Sequence, residues 1–191
     1  MADFKGAIDY VLNKLENDLD PHLYYHGLHH TKDVLSSVEK IAEQEGVSHD
    51  DISLLKVAAA YHDCGFLVLY KNHEEAGCGF AYEALPKFGF SKEQMDIIFG
   101  MIKATKVPQS PKTKLEEIIC DADLDYLGRD DFDKISRSLF EEFKYWNIVT
   151  DQHTWMQIQL NFLENHEYWT DFSKKNRSRA KLKRLEELKS F

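Results

Sequence analysis

The run "VAAAYHDCGF" (57–66) carries small apolar side chains straight into an adjacent histidine and aspartate, His62 and Asp63. Aspartate is a weak helix former and is rarely buried unless a partner or a metal ion compensates it. Two other stretches share the pattern. "YYHGLHHTKDV" (24–34) offers His26, His29 and His30, and "IICDADLDYLG" (118–128) sets Asp121, Asp123 and Asp125 among apolar residues. Ionised carboxylates in apolar surroundings need compensation. One divalent cation held by His30, His62, Asp63 and Asp123 would compensate the whole set at once. Two imidazole nitrogens with two carboxylate oxygens suit manganese, iron, cobalt, nickel, zinc or magnesium, with coordination positions left for water.

The segments that must position these residues read as helices. Ile8, Val11, Leu12 and Leu15 recur at helical spacing in 4–18, and the same pattern runs over 28–46 to Gly46. "SHDD" supplies capping residues before a helix that ends at Gly65, and Ala58, Ala59 and Ala60 let neighbouring helices approach it closely. Residues 73–89 form a weaker helix, interrupted by Gly77, Gly79 and Pro86. A helix over 91–106 opens with Ser91 and Glu93 near capping positions, and "VPQSP" is a loop. Helices over 113–128, 130–146, 150–166 and 171–191 complete the chain, and "FLVLY" is too short to make a convincing strand. The expectation is an all-α helical bundle with the ion site in its core.

Composition excludes several alternatives. No apolar run approaches the roughly 20 residues that cross a bilayer, and the N-terminus lacks the apolar core of a signal peptide. Cys64, Cys78 and Cys120 are odd in number and lack CxxC spacing, which points to reduced thiols in a cytoplasm. A net charge of −9 disfavours a nucleic-acid polymer as partner, whereas a small phosphate compound fits if a metal ion supplies positive charge.

"YHGLHHT", "AAAYHDCG" and "CDADLDYLG" in that order resemble the H…HD…D signature of the HD-domain metal-dependent phosphohydrolases, over about residues 24–128. The resemblance implies one HD-type domain over 1–191, with 129–191 as a C-terminal helical extension packed on the core. It implies hydrolysis of a small phosphomonoester or phosphodiester, a nucleotide first among them, by metal-activated water. His30, His62, Asp63 and Asp123 match the ligands, and Asp63 also holds the attacking water. His26 matches the histidine that similar cyclic-nucleotide phosphodiesterases use to protonate the leaving oxygen. Asp121 then orients a ligand or water, and Lys103, Lys106 and Arg129 are candidates to bind the substrate anion. His73 matches the first extra histidine of two-metal members, so a second ion bridged by Asp63 stays open, although the next expected histidine is absent. That absence argues against the related di-iron oxygenases. A non-catalytic metal- or nucleotide-binding regulatory module is the alternative, and the presence of every ligand type favours the enzyme.

The remaining signals have ordinary readings. His29 faces solvent, and His22, His49, His153 and His166 take surface or capping roles. Glu74 and Glu75 form a solvated first helical turn. Trp146, Trp155 and Trp169 join Phe140, Phe143 and Phe162 in a core between late helices. Leu182, Leu185 and Leu188 dock the basic last helix on the domain, in cis or across a homodimer.

Overall fold

A computed structural model describes residues 1–190. They form nine α-helices and no strand: α1 (Phe4–Asp18), α2 (Leu28–Gln44), α3 (His49–Tyr61), α4 (His73–Ala84), α5 (Lys92–Ala104), α6 (Lys114–Asp123), α7 (Phe132–Tyr145), α8 (Gln152–Asn165) and α9 (Asp171–Lys189). Short 3-10 turns over Cys64–Leu67, Leu85–Phe88 and Asp125–Gly128 follow α3, α4 and α6. The first of these takes up Phe66 and Leu67 of "FLVLY", and the other three residues form no strand. No described helix is long and apolar enough to cross a membrane.

Local chemistry sets the helix starts. Ser48 accepts the Asp51 N–H at α3, and Thr113 accepts the Glu116 N–H at α6. At α5 the box partner of Ser91 is Gln94, not Glu93, because the reciprocal bond needs the third residue after the cap.

Helix α3 is the axis. Leu55, Val57, Ala58, Ala59, Ala60 and Tyr61 are all at 0 % exposure, with α1, α2, α5 and α6 packed around them. The three alanines leave room for that many neighbours. Helix α4 comes in against the turn after α3, where a Cβ on Gly65 would lie 1.8 Å from the His73 carbonyl oxygen. Glycine is therefore required there if α4 is to start beside His62 and Asp63.

Helices α7 to α9 cover a second apolar cluster built from Tyr25, Leu124, Tyr126, Leu127, Phe132, Leu163 and Tyr168. Two buried aspartates fasten this layer to the first. Asp125 takes Arg177 of α9 at 2.6 and 3.1 Å, and Gly128 lets the chains touch, since a Cβ there would lie 2.6 Å from the Arg177 Cβ. Asp121, at 0 % exposure, accepts the Trp169 N–H (2.9 Å), the Thr170 N–H (2.8 Å) and the Thr170 hydroxyl (2.7 Å). Its oxygens are thus spent on the start of α9. This corrects the expectation that Asp121 orients a ligand or water.

Other late residues depart from their expected places. His166 is buried and neither of its ring nitrogens has a hydrogen-bond partner among the described residues. Burial, then the Lys181 ammonium, push its pKa down to about 4. Leu185 and Leu188 pack on the second cluster, but Leu182 is exposed and Lys181 is buried instead, donating to the Leu163 and His166 carbonyls. Trp155 packs on Phe140 and Phe143, whereas Trp146 is partly exposed over Tyr70, so the tryptophans do not share one core.

Asp121→Ala leaves three donors without an acceptor, and unfolding free energy should fall by about 3 kcal/mol in urea titration while metal content per folded chain stays unchanged. Loss of metal along with stability would restore a role at the ion site. His166 predicts an acid limb. Its folded pKa lies below the ordinary 6.5, so the neutral ring contributes fully above that pH and its contribution disappears as pH falls toward 4, by roughly 3 kcal/mol. As pH falls over that window, wild type should lose about 3 kcal/mol of unfolding free energy relative to His166→Phe in urea titration; parallel curves would contradict it.

Candidate metal centre

Four side chains from three elements meet at the inner end of α3. His30 lies in the first turn of α2, His62 and Asp63 directly follow α3, and Asp123 ends α6. His62 donates Nδ1–H to the Ala59 carbonyl at 2.8 Å, which turns Nε2 toward the other members of the cluster. That Nε2 faces the Nε2 of His30 at 3.4 Å. Asp123 Oδ1 lies 3.0 Å from His30 Nε2 and 3.7 Å from His62 Nε2. Asp63 Oδ2 lies 3.5 and 3.2 Å from the same two nitrogens.

The fit to a divalent cation rests on two features. Asp63 Oδ2 is buried and has no hydrogen-bond partner among the described residues. Two imidazole nitrogens also point at each other, an arrangement that a shared cation or proton relieves. His30, His62 and Asp123 each offer one ligand atom within 4.8 Å of the others, and Asp63 adds a second carboxylate beside both histidines. Burial opposes charge on His62, but the neighbouring Asp63 carboxylate outweighs it and lifts the imidazole to about 9. For Asp63 burial again opposes ionisation, and the His62 imidazole holds the carboxyl well below its usual range. Protons therefore compete with a metal ion for this cluster.

The HD-domain family model matches residues 27–125. The chain belongs to the HD-domain family. The fold is similar to the crystal structure of a predicted HD superfamily hydrolase from an uncultured Thermotogales bacterium, at 20% identity and a TM-score of 0.63. That likeness covers 98% of this chain and 90% of the other, so it takes in the helices beyond the family match. No curated protein matches the chain.

The HD aspartate Asp63 uses both oxygens. Oδ2 meets His30 and His62, and Oδ1 lies 3.5 Å from the Nε2 of His73, the first residue of α4. Glu74 Oε1 is also 3.5 Å from that nitrogen. Glu74 is buried, contrary to the expectation of a solvated turn, while Glu75 is exposed as expected. Closure of α4 on Gly65 turns the first glutamate inward.

His26 precedes α2, so helical spacing does not bring it to His30. Glu142 of α7 does so instead. Its carboxylate accepts the Tyr25 and His26 N–H groups at 2.8 and 3.0 Å and takes His26 Nδ1 at 2.5 Å. Burial opposes both charges, yet the His26–Glu142 bond raises the imidazole pKa and lowers that of the carboxyl, so Nδ1 carries the proton. Glu142 went unnoticed in the sequence. The signal was present: Ile135, Leu139, Glu142 and Trp146 recur at helical spacing, with a glutamate on the inner stripe.

The three candidate anion-binding cations have partners of their own. Arg129 donates from one nitrogen to both Asp33 oxygens at 2.9 Å, is bidentate to Asp131 at 3.0 and 2.6 Å, and lies 3.6 Å from Asp125. Lys103 pairs with Glu75 at 3.7 Å, and Lys106 donates to Asn72 at 3.2 Å. Arg129 and the exposed His29 line a cavity of about 270 Å³ beside His30, but the Arg129 charge is already neutralised there.

His62→Ala and Asp63→Ala are expected to lower manganese content from about one ion per chain to background by elemental mass spectrometry, with helical circular dichroism retained. Unchanged metal content in both variants would sink the centre.

Proposed function

We propose that this HD-domain chain is a metal-dependent phosphohydrolase acting on a small phosphomonoester or phosphodiester, with a nucleotide as first candidate. One observation carries the reading: a buried two-histidine, two-aspartate cluster stands beside a protonatable histidine tied to a buried carboxylate. Its core and late helices are proposed to act as one unit, and its free, buried Cys64, Cys78 and Cys120 support a reducing compartment.

His30, His62, Asp63 and Asp123 would hold the ion, and Asp63 Oδ1 with His73 and Glu74 would supply a second position. A bound divalent cation supplies Lewis acidity toward a phosphoryl oxygen and makes its water more acidic. Asp63 is ionised and can accept a hydrogen bond from the attacking water. His26 keeps Nδ1–H on Glu142 and delivers a proton from Nε2 to the leaving oxygen.

The test is a panel of nucleoside monophosphates, cyclic nucleotides and nitrophenyl esters offered to manganese-loaded protein. Wild type should hydrolyse at least one class, and His26→Ala should keep its metal yet lose turnover by about 10²-fold or more. A loaded wild-type protein inert toward every ester would shift the reading to a regulatory metal-binding module.

A further inference from the structure

Helix α7 lies beyond the residues that the HD-domain family model matches, yet it reaches the candidate active site through one side chain. Glu142 is at 0 % exposure and its carboxylate takes four donors. Oε2 accepts the backbone N–H groups of Tyr25 and His26 at 2.8 and 3.0 Å. Oε1 accepts His26 Nδ1–H at 2.5 Å and the Tyr70 hydroxyl at 2.9 Å. Segment 25–26 lies outside any helix, so these bonds replace the backbone ladder that would otherwise fix it. Phe66 stacks on the His26 ring at 4.4 Å, pinning one face. The ring centre sits 6.1 Å from that of His30 and 5.9 Å from that of His73. Nε2 bonds to nothing among the described residues and is the nitrogen left for a substrate.

We propose that Glu142 is the positioning residue for His26, fixing its Nδ1–H tautomer and aim, so that the C-terminal helices complete the active site. The inference rests on His26 as proton donor in the proposed function. A buried carboxylate that accepts one imidazole N–H orients the other nitrogen and stabilises positive charge on the ring. Glu142→Gln preserves shape and can still accept the two backbone bonds. Its amide N–H₂ faces Nδ1 and favours the opposite tautomer.

Two measurements on the full-length, metal-loaded protein separate this role from the reading it rests on. Nitrogen-15 NMR of labelled histidines, on protein loaded with diamagnetic zinc because manganese would broaden the signals, reads the His26 tautomer without any turnover. Wild type should show Nδ1–H, and Glu142→Gln should shift toward Nε2–H with metal content retained. The second measurement compares an alkyl phosphate ester with its nitrophenyl counterpart, whose leaving group needs little protonation. Glu142→Gln should lower kcat at least 10-fold on the alkyl ester with KM within about 2-fold, lose far less on the nitrophenyl ester, and add nothing in a His26→Ala background. An unchanged tautomer, or equal losses on both esters, would overturn the proposal. A shifted tautomer in a protein whose wild type hydrolyses neither ester would keep Glu142 as positioning residue and discard the phosphohydrolase. If Glu142→Gln does not fold, Tyr70→Phe removes one donor from the same oxygen. It should give a smaller loss with the same leaving-group dependence, and equal losses there overturn the proposal too.

Discussion

A carboxylate at 4 % exposure costs several kcal/mol to desolvate, and Asp63 is such a group at the centre of the bundle. Its neighbours are histidines from three helical segments: His62 at 3.2 Å, His30 at 3.5 Å and His73 at 3.5 Å. None of these partners is local except His62. Compensation of one charge therefore dictates how α2 and α4 must lie against the end of α3. The alanines of α3 and the bare backbone of Gly65 are what permit that approach, since a single Cβ at 65 would strike the His73 carbonyl.

The second layer obeys the same constraint further along. Asp121, Asp123 and Asp125 alternate in chain order but not in task, because α6 ends at Asp123 and a 3-10 turn begins. Asp123 is thrown toward the histidines, Asp121 toward the start of α9 and Asp125 toward Arg177. Two of the three fasten the C-terminal helices, and only the middle one meets the two histidines of the candidate ion site. Those helices then return a side chain of their own, Glu142, to the segment that carries His26.

How far the sequence reveals this depends on distance along the chain. The helices were legible because apolar spacing and caps are local, and the histidine–aspartate cluster was legible because each of its three stretches sets such residues among apolar ones. Glu142 was not, since its partner lies 116 residues earlier and only its place on the inner stripe of α7 marks it. Asp121 misled for a related reason: a buried aspartate beside a ligand looks like part of the site until the Trp169–Thr170 backbone arrives from 48 residues away. Glu74 misled because helix position predicts a solvated first turn, and the exception comes from a glycine nine residues upstream.

Charge places a bound on what such a site can take. The chain carries −9 overall, and the candidate cations Arg129, Lys103 and Lys106 are committed to Asp33, Asp131, Glu75 and Asn72. The carboxylates of Asp63 and Asp123 would balance one divalent ion, and the His26–Glu142 pair is neutral in its charged form. No long-range field therefore draws an anion in, and beyond a Debye length of about 8 Å at physiological salt little field remains of either sign. Affinity for a phosphate ester must come from direct coordination and contact within the cleft. A polymer that presents many phosphates would meet net repulsion from a chain of −9, whereas a single small ester meets it hardly at all. The same acidic composition that disfavours nucleic acid is thus compatible with hydrolysis of one of its monomers.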